Sequence, residues 1–444
     1  MLLFIPLRPR RVNPARAEKL RCILGGEASH VAEDKHPSQV RPDTDILTRG
    51  FDPRLSVGSA RPPVFRSSTY VFSSPEEAEK AFAIMAGRAE LGPHEHVDLV
   101  YSRFNHPNAE ILEQQILPLE PGAREAAVFN SGMAAIMTAL LAVLKPGDSI
   151  VFTVPIYGAT QTLISGFLES FGVTGIPVRA GRSPEIAEAI RTAKNLRVVF
   201  IETPANPTIV MTDIQDACRR AAETGAAVPP LVMVDNTFLG PAFQHPLAVG
   251  ADVSLYSATK YLGGYSDIIG GVALTRDAGL MRKIRSKRSL FGNILQPDEC
   301  WILNTRLPTV TLRMNKQSKT AQRIAERLVH HPKVVKVYYP TLFDDPAQKR
   351  IYEAQCRFPG GIVSLDIAGG KPAAFDFLRR LRIARNAVSL GGVETLVCHP
   401  RTTTHSSWSA ADLDEAGIGE GLVRISAGIE DWRDLLADFE QALE

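Results

Sequence analysis

The sequence lacks the features that would place the chain in a membrane or nucleic-acid-binding class. No apolar run in its 444 residues approaches the roughly eighteen needed to cross a bilayer, so no membrane-spanning helix is expected. Its 50 Lys and Arg residues nearly balance its 48 Asp and Glu residues, and a net charge of +2 gives no reason to expect nucleic acid as a partner. With 45% hydrophobic residues, the chain should form a globular protein of about two or three packed units.

Cysteine is scarce, and no two cysteines form a CxxC pair. The five residues are odd in number and scattered, which favours buried thiols in a reducing compartment, so we expect a cytoplasmic location. They are Cys22, Cys218, Cys300, Cys356 and Cys398. No metal site is expected, because the nearest histidine and cysteine residues match no standard ligand spacing and are better explained as solvated or packing side chains. These residues are His94, His96, Cys398, His399 and His405.

The N-terminal segment 1–47 differs in character from the rest of the chain. Its apolar run, Met1 to Leu7, has only seven residues, includes Pro6, and precedes the positive charges rather than following them. This order does not match a secretory signal peptide. We expect a disordered extension, or a start codon placed too far upstream, with an Arg-rich transit peptide as the alternative.

From about residue 120 to 280, apolar runs alternate with helix-like segments at the spacing of βα units, which predicts a mostly parallel sheet covered by helices on both faces. The predicted strands are 126–129, 150–153, 198–202, 231–235 and 253–256. The predicted helices are 133–144, 160–171, 184–193 and 214–223. We assign this large α/β domain to residues 109–308.

After residue 310 the pattern changes to a smaller α+β domain, assigned to residues 309–444 and without internal repeats. An amphipathic helix is predicted over 318–330, strands over 334–339 and 361–367, and helices near 373–381 and 432–443. Ligands of open α/β sheets bind at the carboxyl ends of the strands. The polar residues that follow each predicted strand of the large domain are therefore the candidates for a functional site.

Short polar groups follow these strands, and each has an ordinary structural interpretation by itself. Ser131-Gly132 and Asp235 could be helix caps, Tyr157 a packing aromatic, and Lys260 a surface lysine. In combination, two of them supply what a pyridoxal phosphate (PLP) cofactor requires. A lysine amine, here Lys260, forms a Schiff base with its aldehyde, and a carboxylate, here Asp235, pairs with its pyridine nitrogen.

The remaining groups suit the other parts of the same cofactor. Its phosphate needs the backbone N–H groups of a helix N-terminus together with hydroxyl groups. A flat aromatic side chain can cover the face of its ring, and Tyr157 follows a strand end at a suitable place. The residues that open a predicted helix or flank the lysine, and so could bind the phosphate, are Ser131, Gly132, Met133, Ser257 and Thr259.

At this set of residues the chain resembles the PLP-dependent trans-sulfuration enzymes of cysteine and methionine metabolism, a family that includes cystathionine γ-synthase and methionine γ-lyase. The resemblance runs from about Thr48 to Glu444. The ordered motifs that carry it are Tyr101-Ser102-Arg103, Ser131-Gly132-Met133-Ala134, Tyr157-Gly158, Pro204-Ala205-Asn206-Pro207, Asp235-Asn236-Thr237, Ser257-Ala258-Thr259-Lys260-Tyr261, Ser389-Leu390-Gly391-Gly392 and Leu422-Val423-Arg424-Ile425-Ser426.

The resemblance implies a PLP-dependent transferase of fold type I and assigns further residues. It implies that Tyr101 and Arg103, in an N-terminal arm of residues 48–108, reach the cofactor phosphate of a neighbouring subunit, and hence a homodimer that pairs into a tetramer. It implies that Arg424 binds the substrate α-carboxylate and that Asn206 contacts cofactor and substrate. Ser389 lies where the family orients the lysine or the substrate carboxylate.

The implied reaction is γ-elimination or γ-replacement on a sulfur amino acid or O-acylhomoserine, as in cystathionine γ-synthase. Lys260 would remove the α proton, and Tyr157 would protonate the leaving group. The alternative within the family is a methionine γ-lyase that releases methanethiol, 2-oxobutanoate and ammonia. Ala159, two residues after the tyrosine, replaces a cysteine found in many methionine γ-lyases and weakens that alternative.

Three further alternatives are less consistent with the sequence. A β-lyase is disfavoured by Leu390, where bacterial cystathionine β-lyases have tryptophan, and by the Thr404-His405 pair, which they lack. An aminotransferase would share Lys260 and Asp235 but not the Tyr101 and Arg103 pair. A regulatory protein that keeps the fold without turnover would normally have lost its lysine or its carboxylate. The role of an unusual loop before Tyr101, which contains residues 92–96, is left open.

Overall fold

The structure, a computed structural model, describes residues 40–85, 87–89 and 99–444. Most of the predicted N-terminal extension, Cys22 and residues 92–96 of the predicted loop lie outside the described residues. The end of the predicted extension is structured, because residues 42–45 form a helical turn and the Ile46 side chain is buried. Residues 40–41, 72–85 and 87–89 belong to one compact unit, and residues 42–71 and 99–444 form the other.

The larger unit contains a seven-stranded sheet in the order β1-β7-β6-β5-β4-β2-β3. Its strands are β1 (Glu125–Phe129), β2 (Ser149–Val154), β3 (Thr174–Arg179), β4 (Leu196–Glu202), β5 (Leu231–Asp235), β6 (Val253–Ser257) and β7 (Gly271–Thr275). Among these strands, β7 runs in the opposite direction to the others, and it pairs antiparallel with its neighbours β1 and β6. The prediction of a large, mostly parallel α/β sheet is thus confirmed, and all five predicted strands are present.

Two strands of this sheet were not predicted. The edge strand β3 contains Pro177 and has a largely exposed burial pattern, so it has little of the continuous apolar character of a buried strand. The five residues of β7 are fully buried, but they are too few to give a periodic signal. The antiparallel direction of β7 follows from its pairing with β1 and β6, which are far apart in the sequence.

Helices precede, alternate with and follow the strands of both sheets. In chain order they are α1 (Pro42–Asp45), α2 (Pro75–Met85), α3 (Pro107–Ile116), α4 (Gly132–Leu141), α5 (Gly158–Thr162), α6 (Ser183–Thr192), α7 (Ile214–Ala222), α8 (Ala278–Phe291), α9 (Pro297–Arg306), α10 (Val310–Leu328), α11 (Pro346–Gln355), α12 (Gly370–Arg380), α13 (Ala410–Glu415) and α14 (Trp432–Leu443). The helix predicted over 160–171 is divided into α5 and a π-helical turn at Leu163–Leu168. The helix predicted over 318–330 begins earlier, at Val310.

Both faces of the large sheet are buried under helices. Phe152 and Phe200 face a cluster that includes Ala135 and Ala139 of α4, whereas Val151 and Val199 face a cluster that includes Ile186, Ile190 and Ala217 of α6 and α7. Successive residues of a strand point to opposite faces, so burial on both sides leaves no position for polar alternation. This is why the strands appear in the sequence as continuous apolar runs.

A second sheet of five strands lies C-terminal to the first, in the order β10-β11-β12-β9-β8. Its strands are β8 (Val334–Tyr338), β9 (Ile362–Ile367), β10 (Arg385–Asn386), β11 (Leu396–Cys398) and β12 (Leu422–Ser426). Residues of α10, α12 and α14, among them Ile324, Phe377 and Phe439, form its core with the strands. The smaller α+β part is thus confirmed, while the predicted boundary between residues 308 and 309 stays a prediction.

None of the described helices is long and apolar enough to cross a membrane.

Candidate active site

A cavity of about 320 Å³ lies at the carboxyl ends of the parallel strands. It brings together every predicted site residue except Tyr101 and Arg103. These are Ser131, Gly132, Met133, Tyr157, Asn206, Asp235, Ser257, Thr259, Lys260, Ser389 and Arg424. The parallel strands of the large sheet explain why the residues that follow them meet in one cavity. The neighbouring strands β4, β5 and β6 end side by side, at Glu202, Asp235 and Ser257.

Lys260 follows β6 and lies partly buried in this cavity. Its Nζ donates a hydrogen bond of 2.8 Å to Oγ of Ser389. Burial and, to a lesser extent, the nearby Arg424 cation lower the pKa of the Lys260 amine, Asp235 raises it, and the net result is a pKa of about 8. An amine with such a pKa is available near neutral pH both to bond to an aldehyde and to accept a proton.

Ser389, the partner of Lys260, occupies an unusual backbone conformation, with φ of 96°. Non-glycine residues rarely adopt positive φ, and such strain tends to cluster at functional sites. The chain next to it passes close to the lysine, since a Cβ atom at Gly391 would lie 2.8 Å from the backbone nitrogen of Tyr261. The glycine therefore allows the loop that carries Ser389 to pack against the lysine segment.

Arg424 is a buried cation, and one of its three nitrogens has no hydrogen-bond partner among the described residues. Its Nη1 donates to Oδ1 of Asn206 and its Nη2 to the carbonyl oxygen of Ser389, both over 2.8 Å. Its Nε is buried and has no hydrogen-bond partner among the described residues. Because a buried guanidinium is costly without an anion to compensate it, this arrangement suits a carboxylate ligand.

Asp235 is held in one orientation by Thr237. Its Oδ1 accepts hydrogen bonds from the Thr237 backbone nitrogen over 3.0 Å and from the Thr237 hydroxyl over 2.6 Å. Burial raises the pKa of the Asp235 carboxyl, so a cationic partner is needed to keep it ionised. A protonated pyridine nitrogen would provide that partner, and the residues present thus fit a PLP ring.

The N-terminus of α4 faces the same cavity. Ser131 caps this helix, with its Oγ accepting from the backbone nitrogen of Ala134 over 3.0 Å. A Cβ atom at Gly132 would lie 2.9 Å from Cβ of Ser257, so only glycine allows the helix to start this close to β6. Helix N-terminal N–H groups and nearby hydroxyls bind phosphate, which again fits PLP.

Tyr157 precedes α5, and its side chain is 45% exposed. Its backbone nitrogen donates over 2.8 Å to Oε2 of Glu202.

Tyr101 and Arg103 do not line the cavity of their own chain. Tyr101 is 41% exposed, and Nη1 of Arg103 donates over 2.8 Å to the carbonyl oxygen of Ser289. Their predicted role in a neighbouring subunit stays a prediction.

The cavity also contains residues that were not predicted, among them Glu202, Thr237 and Thr404. Thr237 had a local signal only for its backbone, because an aspartate side chain commonly accepts a hydrogen bond from the backbone two residues further on. Glu202 ends β4, as it ends the predicted strand 198–202, but nothing local to it shows which backbone groups its carboxyl contacts. Thr404 lies in the Thr404-His405 pair, where its hydroxyl is 2.9 Å from Nδ1 of His405.

The described histidines do not form a metal site. No group of three or more His, Cys, Asp or Glu residues within 40–85, 87–89 and 99–444 is arranged to hold a metal ion. His399 lies within hydrogen-bonding distance of Thr402 and of the Glu420 carbonyl oxygen. Burial lowers the pKa of His405 to about 4, so this ring is neutral at physiological pH. Both are packing histidines, while His94 and His96 lie outside the described residues.

Comparison with known proteins gives similarity over nearly the whole chain. A family profile described as Cys/Met metabolism PLP-dependent enzyme matches residues 43–444. The chain is 38% identical to L-methionine gamma-lyase of Fusobacterium nucleatum, covering 87% of this chain and 94% of that protein. It is 36% identical to cystathionine beta-lyase MetC of Bacillus subtilis, covering 90% and 96%. The crystal structure of cystathionine gamma synthase from Xanthomonas oryzae pv. oryzae in complex with cystathionine matches with a TM-score of 0.82 at 32% identity, covering 91% and 98%.

Proposed function

The chain belongs to the Cys/Met metabolism family of PLP-dependent enzymes, and from this premise we propose that it catalyses γ-elimination or γ-replacement on a sulfur amino acid or O-acylhomoserine. The observation that carries the proposal is the convergence of Lys260, Asp235 and Arg424 on one cavity. It supplies an amine of pKa about 8, a buried carboxylate for a cationic ring, and a buried guanidinium for an amino-acid carboxylate.

The cofactor-binding roles that we propose follow from the residue types and the family resemblance, and the convergence of these residues on one cavity supports them. Lys260 would hold PLP covalently, Asp235 would face its ring nitrogen, and the start of α4 with Ser257 and Thr259 would bind its phosphate. Tyr157 would lie against the ring, and Asn206 would contact the ring hydroxyl. When bound, PLP supplies an electron sink that stabilises negative charge on the substrate carbon that loses a proton.

The chain's own side chains would then orient the substrate and move its protons. Arg424 would bind the α-carboxylate, which fixes the orientation of the amino acid in the cavity. Lys260, oriented by Ser389, would accept the α proton. Tyr157 would donate a proton to the group that leaves from the γ carbon. A γ substituent is therefore the defining feature of the expected substrate.

The second candidate is methionine γ-lyase activity, which is supported by the 38% identity to an enzyme of that name. Ala159 disfavours it, as explained above. The relative named as a β-lyase does not alter our preference for the γ position, because Leu390 and the Thr404-His405 pair line or adjoin the cavity. A non-catalytic protein is disfavoured because Lys260, Asp235 and Arg424 are all present.

We also propose that the enzyme is a homo-oligomer, at least a dimer and in full a tetramer, because Tyr101 and Arg103 have no place in the cavity of their own chain.

A cytoplasmic location is proposed from the cysteines. Cys218, Cys300, Cys356 and Cys398 are all unpaired, as expected for a protein in a reducing compartment.

The test is a product assay on the purified, PLP-loaded enzyme. O-acylhomoserine, cystathionine and methionine are each supplied with and without cysteine. Cystathionine formed only when cysteine is present would identify γ-replacement, whereas methanethiol and 2-oxobutanoate from methionine alone would identify the lyase. The Lys260→Ala variant should lose both the visible absorbance of bound cofactor and all turnover. Exchange of amino groups with a 2-oxo acid, and no reaction at the γ carbon, would refute the proposal.

A further inference from the structure

Glu202 ends β4 directly beside Asp235, which ends β5. The two residues are register partners in the parallel ladder, and both line the cavity. Glu202 is 5% exposed and Asp235 is 9% exposed. Two buried carboxyl groups side by side are costly, so the position of Glu202 requires a reason beyond packing.

Each oxygen of the Glu202 carboxyl accepts a backbone hydrogen bond from a different part of the site. Oε2 accepts from the backbone nitrogen of Tyr157 over 2.8 Å, and Oε1 accepts from that of Asn206 over 3.2 Å. Tyr157 follows β2, whereas Asn206 follows β4. One carboxyl group thus fixes the backbone of two loops that carry two predicted site residues.

The hydrogen bonds continue from Asn206 to the lysine. Oδ1 of Asn206 accepts from Arg424, which also donates to the carbonyl oxygen of Ser389. The hydroxyl of Ser389 in turn accepts from Lys260. An unbroken series of contacts therefore runs from Tyr157, the predicted acid, through Glu202 to Lys260, the predicted base.

Opposing effects act on the pKa of the Glu202 carboxyl. Burial, and then the charge of Asp235, raises the pKa of the Glu202 carboxyl to about 8. The two backbone hydrogen bonds act in the opposite direction, because they favour the charged carboxylate that accepts them.

We propose that Glu202 is a positioning residue that fixes Tyr157 relative to Asn206 and, through Asn206, Arg424 and Ser389, sets the placement of Lys260. The catalytic consequence rests on the proposed function, since it assumes that Tyr157 and Lys260 act on one substrate. The placement of Lys260 itself does not depend on which substrate the enzyme uses.

The test compares Glu202→Gln with a matched control, Asp438→Asn. Asp438 is also buried and accepts backbone hydrogen bonds from Arg382, Ile383 and Ala384 over 2.8 to 3.0 Å, but it does not line the cavity. In each variant one accepting oxygen becomes an NH₂ group that faces a backbone N–H. We measure the melting temperature, kcat and KM, and the pH midpoint of the visible absorbance of bound cofactor.

Glu202→Gln should lower kcat/KM about 100-fold, because small misplacements of reacting groups are costly. It should also move the absorbance midpoint upward, because a loosened Arg424 no longer opposes a positive charge at Lys260. Asp438→Asn should lower the melting temperature by a similar amount but leave the kinetics and the midpoint unchanged. If both variants lose activity in proportion to stability, or if Glu202→Gln leaves the midpoint unmoved, the proposal is overturned.

The same experiment still decides the role of Glu202 if the Glu202→Gln variant does not fold, or if the wild-type enzyme is inactive on γ-substituted amino acids. If Glu202→Gln does not fold, Glu202→Asp replaces it, because its shorter side chain cannot reach both N–H groups while keeping the carboxyl, and the same expectations apply. If the wild-type enzyme turns over no γ-substituted amino acid, the proposed function fails. The absorbance midpoint then still decides whether Glu202 places Lys260.

Discussion

At the residue scale, Lys260 illustrates how the surroundings of one side chain determine its chemistry. Burial and the Arg424 cation disfavour its charged form, whereas Asp235 favours it, and the balance lowers its pKa from 10.5 to about 8. A lysine with an unperturbed pKa would be almost fully protonated at neutral pH and could not act as a base. Arg424, which we propose binds the substrate carboxylate, thus also helps to lower the pKa of the lysine.

The depressed pKa of Lys260 predicts a pH-dependent stability of the apoenzyme. Because the folded-state pKa is below the unfolded value, the unfolded chain binds more protons between about pH 8 and pH 10.5, and folding becomes more favourable as pH rises through that window. Relative to Lys260→Met, the free energy of unfolding of the wild type should rise there by on the order of 3 kcal/mol. Urea denaturation at a series of pH values measures this difference.

Lys349→Met is the matched control, since Lys349 is an exposed residue of α11. The stability of this variant should follow that of the wild type across the same pH range. A wild-type curve parallel to that of Lys260→Met would mean that the lysine is not desolvated in the folded protein.

At the scale of a single element, the start of α4 combines a structural role with a binding role. Ser131 satisfies the backbone nitrogen of Ala134, and the close approach to Ser257 requires Gly132 at the first helical position. Gly132 and Met133, the first residues of α4, line the cavity in which the cofactor phosphate is proposed to bind. The cap would therefore hold the proposed phosphate site in place.

Ser131→Ala should destabilise the protein by about 1 kcal/mol, the usual cost of losing a helix cap. It should also weaken the affinity of the apoenzyme for PLP, because the predicted phosphate site loses both a hydroxyl group and the order of the first turn. Urea denaturation and absorbance titration with PLP measure the two effects separately.

Ser409→Ala provides the comparison for this prediction. Ser409 caps α13 in the same way, with its Oγ accepting from the backbone nitrogen of Asp412, and it does not line the cavity. The Ser409→Ala substitution should lower the free energy of unfolding by a similar amount and leave the affinity for PLP unchanged. Equal PLP affinities of the two variants would contradict a phosphate site at α4.

At the scale of the whole molecule, the site depends on both sheets and, by our proposal, on a second subunit. Lys260 and Asp235 follow strands of the seven-stranded sheet, whereas Arg424 lies on β12 of the five-stranded sheet. Their contacts lie within the unit that contains residues 42–71 and 99–444. Tyr101 and Arg103 are the predicted site residues that remain outside the cavity, which is why the proposed oligomer can be tested through activity.

Complementation between two inactive variants tests the shared site. Arg103→Ala and Lys260→Ala should each be inactive or nearly so as pure proteins. When the two are mixed and refolded together, each mixed dimer should regain one complete site, with Lys260 from one subunit and Arg103 from the other. Steady-state assays should then recover about a quarter of the wild-type activity. No recovery, with mixed dimers demonstrated by mass spectrometry, would show that Arg103 acts within its own chain.

The sequence by itself determined the mostly parallel sheet and the position of most site residues. Strands such as β4, buried on both faces, leave a continuous apolar signature, and parallel strands place their following residues at one edge. Lys260, Asp235 and Tyr157 could therefore be assigned to one site. The resemblance to a known family added Asn206, Ser389 and Arg424.

Only the tertiary structure decided how these residues are connected and which further ones take part. The bond between Arg424 and Asn206 joins residues 218 positions apart, and the contact between Lys260 and Ser389 spans 129 positions. The two bonds of Glu202 reach backbone groups in separate loops, and the direction of β7 depends on two distant partners. Such contacts depend on distances between segments that meet only when the chain is folded, and no local pattern of residue types specifies them.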